Sequence, residues 1–337
     1  MSDTGKSRNV RHHFHDVTSK VRQSVVAPRA HRLTVPLVRP AIVAHPQPPP
    51  PRMHVSCLWF ATYATASLLT VSLAVAQAPA LAVQPAILRS QVFSWEQLKV
   101  KTTAVGQLRD VVNLPSATFE KFESHITTLN VGQASHAPHR HAREEFIIIK
   151  DGTVEVHING RTQLAGPGSL LFYASNDLHA IRNAGTTPAT YLVFNFETVA
   201  TRSAPAQGAA AASVPGTLAS TIFNWEHLAV KPTKVGARRD VVNAPTVTCH
   251  NFECHVTTLN PGETPHASHR HPDEEIVVVK EGVMAATING VTNLGGPGSI
   301  FFYGSSDEHG MKNVGGTTAS YHVIRIVTAA TPKAAAQ

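Results

Sequence analysis

His139-Arg-His141-Ala-Arg-Glu144-Glu145-Phe-Ile-Ile-Ile149 returns 130 residues later as His269-Arg-His271-Pro-Asp-Glu274-Glu275-Ile-Val-Val-Val279. The apolar end of each segment is mostly β-branched, which favours a strand. Turn signals close both, Lys150-Asp-Gly152 and Lys280-Glu-Gly282. Side chains two apart on a strand share a face. His139, His141 and Glu145 are therefore expected on one face and Glu144 on the other. Glu144 and Glu274 read as solvated outer-face carboxylates. Phe146 and Ile148 also face outward yet are apolar, so the other domain or a second subunit should cover that face.

The repeat extends well beyond this segment. Phe93-Ser-Trp-Glu96 matches Phe223-Asn-Trp-Glu226, and Arg109-Asp-Val-Val-Asn113 matches Arg239-Asp-Val-Val-Asn243. The offset holds without gaps through Thr198 and Thr328, and an Ala-rich stretch from Arg202 to Gly216 separates the copies. That composition suits a flexible linker. We read a first domain over 93–198, a linker over 199–221 and a second domain over 222–329. A length of 337 residues accommodates two domains. Val154, Val156 and Ile158 alternate with Glu155 and His157 before an Asn159-Gly160 hairpin turn. Gly166-Pro-Gly168 marks another turn before Leu170-Leu-Phe-Tyr173. Short strands between such turns, with no helical stretch, predict an all-β sandwich or barrel.

The formal charge of +7 suggests a basic protein, but residues 1–76 carry nine Lys/Arg against two acids and hold the whole excess. The remainder is formally neutral, so nucleic acid is not expected as a partner. Residues 1–52 are rich in Arg, His and Pro. They read as a disordered basic arm or as upstream sequence included by a wrong choice of start codon, and the second reading is preferred. Met53 opens an uncharged apolar run that ends at Ala74-Val75-Ala76, a small-residue cleavage pattern. Residues 53–76 thus read as a signal peptide, the mature chain is expected to begin near Gln77, and the location is secreted or periplasmic. A membrane enters only if this segment stays uncleaved.

Of the 20 histidines, 14 follow residue 76. His179 lies 34 residues beyond Glu145, and His309 lies 34 beyond Glu275. That span admits a hairpin and a returning strand, which would bring a third imidazole alongside. His139, His141, Glu145 and His179 then form one mixed N/O site, and His269, His271, Glu275 and His309 form another. Such a set suits a divalent transition metal, one per domain. Mn, Fe, Ni, Cu and Zn are all compatible with ligands of this intermediate hardness. His136 and His266, three residues before the first ligand, either line the mouth or orient a ligand through a hydrogen bond, or are loop histidines. Asp177 and Asp307 either orient the site, serving as general acid or base, or close a turn. Leu178/Glu308, Arg182/Lys312 and Leu192/His322 are expected to make the two site linings differ. Cys249 and Cys254 read as reduced, packed thiols. No residue is assigned as catalytic.

The sequence resembles the cupin superfamily, and its duplication resembles the bicupins. The first motif of that superfamily maps onto Gly132, His139, His141, Glu145 and Gly152, and again onto Gly262, His269, His271, Glu275 and Gly282. The second maps onto Gly168, His179 and Asn183, and onto Gly298, His309 and Asn313. The spacer from Gly132 to His139 is one residue longer than usual, and Ala174/Gly304 and Asn176/Ser306 replace the motif's Pro and Gly. The resemblance implies two tandem β-barrel (jelly-roll) domains. It also implies a metal-dependent oxidative enzyme of dioxygenase or decarboxylase type, acting on a small organic molecule, as in oxalate decarboxylases and quercetin dioxygenase-like enzymes. A non-oxidative hydrolase or isomerase, or a non-catalytic binding bicupin, are the alternatives. A homo-oligomer is a further expectation.

Overall fold

A computed structural model describes residues 86–203 and 214–333. The leader 1–52, the apolar segment 53–76 and residues 204–213 of the linker lie outside them. No described helix is long and apolar enough to cross a membrane. The first copy contributes β1 Gln91–Phe93, β2 Lys101–Thr103, β3 Gly106–Leu114, β4 Lys121–Leu129, β5 Glu144–Asp151, β6 Val154–Ile158, β7 Arg161–Ala165, β8 Leu170–Tyr173, β9 His179–Asn183 and β10 Ala189–Glu197. The second contributes β11 Thr221–Phe223, β12 Lys231–Thr233, β13 Gly236–Ala244, β14 Asn251–Leu259, β15 Glu274–Glu281, β16 Met284–Ile288, β17 Val291–Gly295, β18 Ile300–Tyr303, β19 His309–Asn313 and β20 Ala319–Val327. The fold is all-β, two jelly-roll domains in tandem.

Each domain folds one seven-stranded and one three-stranded antiparallel sheet around a core. The first has β11-β8-β5-β10-β4-β3-β2 and β7-β6-β9; the second has β1-β18-β15-β20-β14-β13-β12 and β17-β16-β19. Asn159 and Gly160 both take positive φ (48° and 84°), the geometry a two-residue hairpin turn between β6 and β7 requires. Ile147, Ile149, Val154, Val156 and Tyr191 fill the space between the first domain's sheets. The other face of each large sheet meets its counterpart. Phe146, Phe172 and Phe194 share one apolar layer with Phe252, Phe302 and Ile324. Ring centroids lie 5.5 Å apart for Phe146–Phe252 and 5.6 Å for Phe122–Phe302. The other domain is thus what covers Phe146 and Ile148.

The large sheets do not follow the chain halves. β1 pairs with β18 of the second domain, with Val92 opposite Phe301, and β11 pairs with β8 of the first, with Ile222 opposite Leu171. A tryptophan just beyond each exchanged strand pins it. Trp225 N–H donates to Ser169 Oγ at 3.1 Å, and its ring lies between the cations of Arg239 and Lys280 at 4.2 and 4.6 Å. Gly168 makes room for that ring. It sits at φ +89°, and a Cβ there would come within 2.6 Å of Trp225.

Two corrections to the sequence reading concern the segment that decided it. β5 begins only at Glu144, so His139 and His141 precede the strand. An isolated antiparallel bridge between His139 and His179 holds them instead. Glu144 and Glu274 do occupy the opposite face, but they are buried, at 0% and 1% exposure. Strand alternation assigns a face; it does not say what lies against it. Glu144 accepts hydrogen bonds across the domain boundary from Thr246 Oγ1 (2.6 Å), Thr248 Oγ1 (2.7 Å) and Val247 N (3.0 Å). Glu274 does the same with Ser116 Oγ (2.6 Å), Thr118 Oγ1 (2.7 Å) and Ala117 N (3.2 Å). Burial pushes both carboxyls above their ordinary range against the pull of these bonds. Cys249 and Cys254 are free thiols, both buried.

Candidate metal centres

In each domain, three imidazoles and one carboxylate converge between the sheets. β9 delivers His179 at its first residue, where Ile158 of β6 pairs with it. Reciprocal backbone bonds of 3.0 and 3.1 Å join it to His139, and Asn176 N–H donates to His141 O at 2.8 Å. Candidate ligand atoms of His139, His141 and His179 lie within 4.8 Å of one another, as do those of His269, His271 and His309. Glu145 completes the first set, its Oε2 3.2 Å from His141 Nε2 and 4.0 Å from His179 Nε2. Glu275 Oε2 lies 3.2 Å from His271 Nε2.

Backbone carbonyls fix two rings of each set. His141 Nδ1–H donates to Arg143 O at 2.8 Å and His179 Nδ1–H to Asp177 O at 2.9 Å. In the second domain the acceptors are Asp273 O at 2.8 Å and Asp307 O at 2.9 Å. A proton held at Nδ1 makes Nε2 the nitrogen that, once bare, aims a lone pair at the cluster. Tyr173 and Tyr303 stack on His179 and His309, with centroids 4.2 and 4.3 Å apart. The decisive detail is what these nitrogens lack. His179 Nε2, His309 Nε2, His139 Nδ1 and His269 Nδ1 are buried without a hydrogen-bond partner. Buried polar atoms are ordinarily satisfied. Buried unsatisfied nitrogens on rings that converge with a carboxylate fit a divalent cation, which would take imidazole lone pairs.

The charges agree for most of the set. Burial pushes the affinity of His179 for a proton down to about 4, and burial with the neighbouring imidazoles does the same to His269. Burial alone would raise Glu145, but the bond from His141 and the charges of His179 and His141 hold it below the usual carboxylate range. His271 departs from this pattern. Burial lowers it, yet the carboxylates of Asp273 and Glu275 outweigh burial and raise it to about 9. Asp273 stands where the first domain has Arg143. Arg325 Nε and Nη2 grip its carboxylate at 2.7 and 2.9 Å.

The other expected residues fall as follows. His136 and His266 are exposed beside the first ligand of each set, with ring centroids 4.1 Å from His139 and 4.4 Å from His269. Asp177 and Asp307 contribute the carbonyls just described. Their carboxylates turn to the serines that precede the exchanged strands, Ser220 and Ser90. None of the three expected lining differences lies in the cavities. Arg182 and Glu155 pair on the exposed small sheet, and Arg270 and Glu308 pair at the surface. His322 is buried at the domain boundary and donates from Nε2 to Gly168 O at 2.9 Å. The cavities differ through other residues. The first measures about 220 Å³ and the second about 680 Å³. Arg238 and Arg325 line only the second, in place of Leu108 and Asn195. One pair in each cavity escaped the sequence reading: Glu123 with His125, and Glu253 with His255. The signal was present as Glu-x-His, recurring at the same offset and at strand spacing.

Comparison with known proteins follows this geometry. The cupin domain matches residues 125–195 and 255–325. Curated proteins yield no sequence match. Among solved structures, a variant of oxalate decarboxylase OxdC from Bacillus subtilis, a protein with Mn(II) centres, superposes with TM-score 0.53 and 16% identity. The match covers 72% of this chain and 78% of that one. Protein Ylba from E. coli gives 0.55 at 13% identity over 76% and 98%. AerE from Microcystis aeruginosa gives 0.51 at 14% over 71% and 97%.

Proposed function

The chain belongs to the cupin superfamily in its duplicated form, and from this we propose that it is a metal-dependent enzyme, of dioxygenase or decarboxylase type, acting on a small organic molecule. The observation that carries the reading is the convergence of unpartnered buried imidazole nitrogens with a carboxylate, repeated in both domains. His139, His141, Glu145 and His179 would hold one ion, and His269, His271, Glu275 and His309 a second. Manganese or iron is favoured. A bound ion would supply a Lewis acid or an electron path at a position left open to substrate. The protein's own part is to fix the ring tautomers through backbone carbonyls. It also walls the cavity with Tyr173 and Ile147, or with Tyr321 and Val323. We also assign the chain to a secreted or periplasmic location on the uncharged run before Gln77; N-terminal sequencing of exported protein would find the mature end there.

Metal analysis of the purified chain, offered Mn(II) and Fe(II), tests the reading. Two ions per chain are expected. A His139→Ala/His141→Ala variant should bind one and keep the second site filled. Oxygen uptake and CO2 release with phenols and small dicarboxylates then read the chemistry. A chain that takes neither metal ends the enzymatic reading, and exclusive zinc binding with hydrolysis would move it to the hydrolase class.

A further inference from the structure

Each cavity is also lined by an imidazole from outside the histidine cluster. β4 alternates, so Phe122, Ser124 and Ile126 are buried toward the other domain while Glu123 and His125 take the other face. β14 repeats this with Phe252, Cys254 and Val256 against Glu253 and His255. His125 lines the first cavity and His255 the second. The rings are anchored: His125 Nδ1 lies 2.8 Å from Glu123 Oε1, and His255 Nδ1 lies 2.7 Å from Glu253 Oε1. An ionised carboxylate only accepts, so the shared proton sits on Nδ1, and the lone pair of the neutral ring is at Nε2. Glu123 is ionised. Burial raises it, but the bonds from His125 and Asn195 prevail and hold it below the usual range.

The sheet register sets the spacing. β10 runs between β4 and β5, with Asn195 opposite both Glu123 and Glu145, and Val193 opposite both His125 and Ile147. The second domain has Arg325 between Glu253 and Glu275, and Val323 between His255 and Val277. The Glu–His pair and the ligand carboxylate thus stand on one face two strands apart, a backbone separation of about 10 Å.

Burial pushes the Tyr173 and Tyr321 hydroxyls above their ordinary range, and Tyr191 to about 12. Arg143, Arg238 and Arg325 are permanent cations. His136 and His266 lie exposed at the mouths. Imidazole is the side chain that exchanges protons near neutral pH. We propose that His125 and His255 are the catalytic acid–base residues of the two cavities, meeting the substrate from β4 and β14, two strands away from the ligand carboxylate. The inference rests on the enzymatic reading above. Nε2 accepts a proton from a substrate O–H or N–H, the imidazolium is balanced by the glutamate on Nδ1, and the same proton returns to the product. The charged groups facing His125 are Glu123, Glu145, Arg143, His139 and His179. Those facing His255 are Glu253, Arg238, Arg325, Glu275, His269 and His309.

Two measurements on the full chain test this. Side-chain 15N NMR of the Zn(II)-loaded protein should find His125 and His255 protonated at Nδ1 and bare at Nε2. Glu123→Gln and Glu253→Gln should release that preference. The opposite tautomer at both rings in the wild type overturns the proposal, whether or not a substrate is in hand. Kinetically, for the phenol or dicarboxylate that turns over, the His125→Gln/His255→Gln double variant should lose about a hundredfold or more in kcat with KM nearly unchanged. Its metal content should stay at the wild-type level. Full kcat in the double variant overturns the proposal, whereas a wild type that binds no metal sinks the enzymatic reading itself.

Discussion

Asp273 gives the second metal centre a character the first lacks. Its carboxylate lies 3.4 Å from His271 Nδ1, whose proton it shares with the backbone. With the ion absent, His271 is raised to about 9, so a proton must leave before Nε2 can bind metal. Apparent affinity at this centre should therefore rise with pH up to about 9, by close to tenfold per pH unit. Asp273→Asn removes the charge that holds the proton and should flatten the slope. Calorimetric titration of Zn(II) at pH 6, 7 and 8, with the first site disabled by His139→Ala/His141→Ala, measures it. The ligand set itself was legible in the sequence, because four ligand types recur at one offset and few other roles demand that spacing. What Asp273 does was not legible. It sits two residues before Glu275, in a loop whose path depends on Arg325, fifty-two residues away.

At the scale of elements, the first three residues of β5 carry three different duties. Glu145 faces the metal centre, Phe146 the domain boundary, and Glu144 a turn of the other domain. Glu144→Ala would leave Thr246, Thr248 and the Val247 amide without their acceptor, at a cost of roughly 3 kcal/mol. Urea unfolding should register the loss, while metal content at the first site stays at one ion because Glu145 is untouched. Gly168→Ala should be costly for a different reason. The new methyl group meets Trp225 and adopts a left-handed backbone, roughly 2 kcal/mol together. Strand identity was readable here from β-branched runs and from Asn-Gly and Gly-Pro-Gly turns. Strand partners were not: β1 and β11 have three residues each, too few for alternation to specify a register.

For the whole molecule, the boundary between domains is a second core, and His322 is a polar group inside it. It is 1% exposed, and burial holds its proton affinity down to about 4. The unfolded chain takes up that proton as pH falls from about 6.5 to 4 and the folded chain does not. Stability therefore falls with acid across this window and levels off below it. The loss from this one group is about 2 kcal/mol by pH 5. Leu192 occupies the equivalent place in the first domain. His322→Leu should remove this part of the acid sensitivity, visible as a smaller difference between urea midpoints at pH 7 and pH 5.

The exchanged strands also bear on time. Gln91 emerges early in synthesis, yet its partner Phe302 follows more than two hundred residues later. At ordinary elongation rates β1 waits on the order of 10–40 s with one edge of its future sheet still unmade. The first domain likewise stays open at β8 until Thr221 arrives. Each half's large sheet is therefore completed only by a strand that the other half supplies.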